Sequence, residues 1–156
     1  MSVVRALLDR MDIAKCLALI DLLCTEEFPA HRCRTDTGTG GPGFLIAELQ
    51  TSGDFFEDDG TERAEAEAQY EADRDALGER LAERWGPADV FSLFSVFQRG
   101  MEGEETAQPW GTLASHVPDV HLWRVDPGRW VALGVSQWDG ELPFQLLAIV
   151  TTAAPP

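Results

Sequence analysis

Positive charge is what this sequence has least of. Lys and Arg number 12 among 156 residues against 27 Asp and Glu, which leaves a net charge of −15. Lysine occurs once, at Lys15, a skew that reads as coding bias and carries no physical meaning. The arginines are scattered and form no basic stripe, so phosphate neutralisation, and nucleic-acid binding with it, is set aside. An anionic membrane surface is repelled for the same reason. Cysteine is also sparse: Cys16, Cys24 and Cys33 are an odd set without framework spacing, as expected for free or buried thiols of a reducing compartment. A long apolar run is missing too. The nearest candidate, residues 16–24, contains Asp21, follows Asp9 and Asp12, and leads into no small-x-small cleavage site. It is about half a bilayer-spanning length, and Leu23 is not the small residue that a lipoprotein-type Cys24 requires. The expectation is a cytoplasmic chain.

Carboxylate is what the chain has in abundance, and it is concentrated. Thirteen acids fall within residues 48–83 (Glu48, Asp54, Glu57, Asp58, Asp59, Glu62, Glu65, Glu67, Glu71, Asp73, Asp75, Glu79, Glu83) against Arg63, Arg74 and Arg80. That stretch supplies −10 of the net charge. Such a density repels itself in a compact state and attracts a cationic surface. Most of it belongs to a predicted helix over residues 61–85. Asp59 or Thr61 can cap its start, and Glu62 and Glu65 suit the positive dipole end. Tyr70, Leu77, Leu81 and Trp85 fall on one stripe, and Gly86-Pro87 ends the helix. The bland account of the acids is a solvated helix face; the functional one is a docking face.

The remaining elements follow from periodicity. Residues 2–24 read as helix, either continuous or broken near Met11–Asp12 with Asp12 as an internal cap. Residues 25–43 read as loop with a short strand around Arg32, residues 44–49 as a strand. Residues 90–97 are apolar on both alternating sets, as in a central strand buried on both faces; a short buried helix is the alternative. Turns at Asp126-Pro127-Gly128-Arg129 and Trp138-Asp139-Gly140-Glu141 divide the C-terminal third into a three-stranded meander, about residues 119–125, 129–137 and 142–151. With two-residue loops, Val125 pairs with Trp130, Trp123 with Ala132, Val135 with Phe144 and Leu133 with Leu146. One face then holds Val120, Leu122, Val131, Leu133, Val135, Leu142, Phe144, Leu146, Ala148 and Val150 as core. The other holds His121, Trp123, Trp130 and the small strip Ala132, Gly134, Ser136 as a possible groove. A one-residue slip exchanges the faces.

Four patterns invite chemistry. Gly38-Thr39-Gly40-Gly41-Pro42-Gly43 spells a dinucleotide fingerprint, but no strand precedes it and no helix follows, so a flexible loop is favoured. Cys16, Cys24, His31 and Cys33 lack the close pairing of zinc ligands, and buried thiols explain the first two more simply. His116, Asp119 and His121 are close in sequence, and hydrogen-bonded strand histidines account for them better than a site. Ser136 has no nucleophile elbow. Trp110, Trp123, Trp130 and Trp138 crowd together and serve either core or binding anchors.

The expectation is therefore an α+β domain spanning residues 1–156, with flexible loops near 34–43, 52–60 and 100–109 and a frayed tail at 152–156. An N-terminal helical segment and one long acidic amphipathic helix cover one face of a mainly antiparallel sheet of four to six strands. Size, charge and aromatic content give a profile similar to that of bacterial immunity proteins, which neutralise a cognate toxin. The reading is a non-catalytic interaction module, monomer or homodimer, without metal or cofactor, that captures a basic protein. Its contact residues would be Asp54, Glu57, Asp58, Asp59, Glu62, Glu65 and Asp73, with Trp123, Trp130 and Trp138 as anchors. The alternatives are an acidic secretion-type chaperone holding a client segment, and a small-molecule protein or enzyme using the Trp/His strip.

Overall fold

The computed structural model describes residues 12–53, 60–125, 128–137 and 142–156. Among them, helix α1 (Ile13–Thr25) opens with Asp12, whose carboxylate accepts the Lys15 amide at 3.1 Å, so the expected cap is in place. The first part of the expected N-terminal helix lies outside the described residues. Strands β1 (Cys33–Arg34), β2 (Gly38–Gly41) and β3 (Phe44–Thr51) follow, then helix α2 (Thr61–Trp85), strand β4 (Asp89–Ser92), and helices α3 (Phe94–Met101) and α4 (Trp110–Ala114). Strands β5 (Asp119–Val125), β6 (Arg129–Ser136) and β7 (Gln145–Thr151) complete the chain. The sheet runs β1-β2-β3-β7-β6-β5-β4 with every neighbour antiparallel. The α+β architecture and C-terminal meander are as expected; the strand count, seven, exceeds the expected four to six.

The surplus comes from the glycine run. Residues 38–41 form a strand, although glycine favours none, because its missing side chains let two backbones approach. A Cβ on Gly38 would stand 2.2 Å from the Ile46 carbonyl oxygen. Pro42 and Gly43, the latter at φ +80°, turn directly into β3. The tail is also anchored at its start: the Thr152 amide donates to the Gly43 carbonyl, and the Trp110 indole N–H donates to the Ala153 carbonyl at 3.0 Å.

Helices cover both faces of the sheet, not one. Helices α1 and α2 bury Ile20, Leu23, Leu77 and Leu81 against Leu45, Ala47, Trp123, Val131, Leu133, Ala148 and Val150. On the other face α3, α4 and the turn after them bury Leu93, Val96, Trp110, Leu113 and Val117 against Val120, Leu122, Ala132, Leu147 and Ile149. The cause lies in the central strands: residues 131–136 of β6 and 146–151 of β7 are buried throughout. Leaving one such face in water would forgo roughly 1.5–3 kcal/mol per large aliphatic side chain.

The registers explain how the faces are assigned. Val125 pairs with Arg129 and Leu122 with Ala132, one residue away from the expected pairing, because three residues separate the paired ends and Gly128 has φ +85°. Val135 pairs with Leu146 and Leu133 with Ala148, a shift of two. An even shift preserves the face, so β6 and β7 keep their expected core side. The odd shift exchanges it in β5: Val120 and Leu122 turn to α3 and α4, and Trp123 turns to α2. The expected third meander strand also begins late, at Gln145. Residues 90–97 form no central strand. They divide into β4, at the sheet edge, and the start of α3, with the Ser92 hydroxyl accepting the Phe94 amide at 3.3 Å.

Candidate functional site

Helix α2 occupies the residues expected for it. Gly86 closes it at φ +83°, and its N-cap is Gly60, at φ +103°, without a side-chain cap. Its apolar stripe (Tyr70, Leu77, Gly78, Leu81) is buried on the sheet. The carboxylates divide by position. Glu62, Glu65, Glu71, Asp75, Glu79 and Glu83 are exposed, whereas Glu67 is half-buried and Asp73 is buried within the stripe. Asp73 accepts a hydrogen bond from Gln69 at 2.8 Å and, with Asp12, adds to the burial that pushes the Cys16 thiol pKa up. Asp73 is thus an interior group and offers nothing to a partner's surface. Glu48 belongs to β3, where Arg34 (3.2 Å) and Gln145 (2.8 Å) hold it.

Of the arginines of α2, Arg63 and Arg84 are drawn away from the open face, whereas Arg74 and Arg80 each meet an acid of it, Arg80 pairing with Glu83 at 3.9 Å. Arg74 bridges Asp75 at 3.1 Å and Asp119 at 3.5 Å, Arg84 reaches Asp21 of α1 at 2.6 Å, and Arg63 lies over the Phe144 ring with a hydrogen bond to Gln137. Among the described residues, no ion pair holds Glu65, Glu71 or Glu79. Glu71, Asp75, Glu79 and Glu83 follow each other at i, i+4 spacing on the exposed side. Neighbours of like charge at this spacing destabilise a helix by a few tenths of a kcal/mol each. Arg74 and Arg80 offset part of this repulsion at Asp75 and Glu83, and a cationic surface laid along the row would offset more of it.

The expected anchors are not grouped beside this row. Trp123 is 3% exposed, its ring over Gly78 and 6.4 Å from Trp85, and its indole N–H donates to the Gly86 carbonyl at 3.0 Å. It is a core residue that fastens the end of α2, which removes it from the partner-binding set. Trp130 is half-buried on the opposite face, with the Arg124 guanidinium 5.7 Å above its ring. Trp138, Asp54, Glu57, Asp58 and Asp59 lie outside the described residues. The small strip of β6 is no groove either: Val117 sits where a Cβ on Gly134 would be, at 2.8 Å.

The other candidate clusters are dispersed. His116 precedes β5, and burial drives its pKa down to about 4; His121 is pushed down by burial first and by Arg74 second. Asp119 is engaged with Arg74. Cys16 and Cys24 belong to α1, while His31 and Cys33 are exposed at the β1 end of the sheet. Among the described residues no group of three or more His, Cys, Asp or Glu is arranged to hold a metal ion, and no helix is long and apolar enough to cross a membrane.

One surface went unread in the sequence. Phe94, Phe97 and Met101 of α3 are 63, 39 and 76% exposed. Beside them a groove of about 550 Å³ is lined by Val96, Phe97, Met101 and Gly111 together with Glu104 and Glu105. The signal was available: apolar residues at 94, 97 and 101 follow a helical period, which the reading as a strand concealed. No protein-family model, no curated protein and no solved structure matches this chain.

Proposed function

We propose that this chain is a non-catalytic binding module that captures a basic protein through the carboxylates of α2, in the manner of immunity proteins that neutralise a partner by occupying it. The observation that carries the reading is the exposed row Glu71, Asp75, Glu79 and Glu83 on one helix, four like charges at i, i+4 spacing of which Asp75 and Glu83 each meet one arginine. Arg74 and Arg80 meet Asp75 and Glu83 of the row, while among the described residues no ion pair holds Glu71 or Glu79. Opposed potentials of this kind accelerate encounter and select a partner by charge. No bond-making step is assigned to the protein.

Parallel affinity capture from the native host, with the wild-type chain and Glu71→Lys/Glu79→Lys as baits, tests the reading. The expected result is a strongly basic protein retained by the wild type and lost from the double variant. Equal retention on both baits, or an acidic prey, would overturn it.

A further inference from the structure

Helix α3 carries more apolar surface than the interior covers. Leu93 and Val96 are fully buried under it, while Phe94, Phe97 and Met101, at i, i+3 and i+7, stand in water. The groove next to this facet has the volume of a small-ligand or side-chain pocket. Its rim is negative for two reasons. Glu102, Glu104 and Glu105 follow the helix directly, and they sit at its carbonyl end, where the dipole already favours cations and disfavours acids. Among the described residues, Arg99 is the cation drawn to this rim, 3.8 Å from Glu104.

We propose that the groove between α3 and the start of α4 seats a partner segment in which a large apolar side chain is flanked by Lys or Arg. The apolar residue enters over Phe97 and Met101, and its cationic neighbours meet Glu104 and Glu105. This deepens the reading of a basic partner and rests on it. Charge selects the occupant: a second copy of the chain would bring its own glutamates to the rim and a further −15 to the complex, and an anionic lipid surface is repelled likewise. Helix α2 then supplies attraction at a distance, and the groove supplies the desolvated contact that holds.

Three labelled synthetic peptides with alternating Leu/Lys, Ser/Lys and Leu/Glu sequences are titrated by fluorescence anisotropy against the full chain. The variants are Phe97→Ser/Met101→Ser and Glu104→Lys/Glu105→Lys, all at exposed positions, with circular dichroism to check the fold. The proposal expects the Leu/Lys peptide to bind most tightly and to lose roughly tenfold in affinity on each groove variant. Ser/Lys binding as tight as Leu/Lys, unchanged by either variant, overturns the groove and leaves the cationic-partner reading intact. Leu/Glu binding as tight as Leu/Lys overturns both. A dimer in light scattering that Phe97→Ser/Met101→Ser dissolves overturns the choice of occupant.

Discussion

Trp123 shows how one side chain changes role when its strand moves by one residue. Paired with Ala132 it would have rimmed a groove; paired with Val131 it lies under α2 and ties the Gly86 carbonyl. Trp123→Ala should therefore destabilise the fold by about 3–5 kcal/mol, the range for deleting a buried large aromatic. Urea denaturation measures this, and a loss below about 1 kcal/mol would place the ring outside the core. His116 gives a second residue-scale expectation. Burial holds its folded pKa near 4, below the ordinary 6.5, so the unfolded chain takes up a proton that the folded chain refuses. The His116 contribution is fully present above pH 6.5 and is lost as pH falls toward 4. His116→Gln should flatten the stability-pH slope across that window, as read by thermal unfolding at stepped pH.

At the scale of elements, the end of α2 was legible to the residue because it is chemically marked, whereas its start is Gly60 and not the expected Asp59 or Thr61 cap. Gly86 supplies the left-handed closing residue, and Pro87 cannot continue the helix. Asp12 marked the start of α1 in the same way. What misled was the meander register, since the pairing depends on whether the loop before Arg129 holds two residues or three, and Gly128 permits either. Residues 38–41 misled for the opposite reason: their strand is made by close packing on Ile46, a tertiary fact that glycine-rich sequence hides. Residues 90–97 looked doubly buried because two elements, one an edge strand and one a helix with a wet apolar side, were read as one. The acid row yields an expectation at this scale. Glu79→Lys changes its neighbours Asp75 and Glu83 from repulsive to attractive i, i+4 partners. It should raise the stability of the isolated chain by a few tenths of a kcal/mol per pair at low salt, and the gain should vanish at about 1 M salt. A chemical-denaturation series at two salt concentrations checks both parts.

Across the whole molecule, the sheet separates two surfaces. Helix α2 and its carboxylates lie on one side, and α3 with its apolar facet and acidic lip lies on the other. The chain passes from α2 through β4, an edge strand of the sheet, directly into α3. Of this arrangement, the sequence made the charge and the long helix plain. It concealed the docking groove, because a groove exists only once residues 96–101, 104–106 and 108–115 have been brought together by packing.

Association kinetics of the captured basic protein, followed by stopped flow from about 0.02 M to about 0.5 M salt, test the role of the α2 acids most directly. The account predicts an on-rate that falls by roughly tenfold or more over this range, a dissociation rate that changes by less than about twofold, and loss of most of the salt dependence in Glu71→Lys/Glu79→Lys. An on-rate indifferent to salt, or a double variant that retains the full salt dependence, would contradict it.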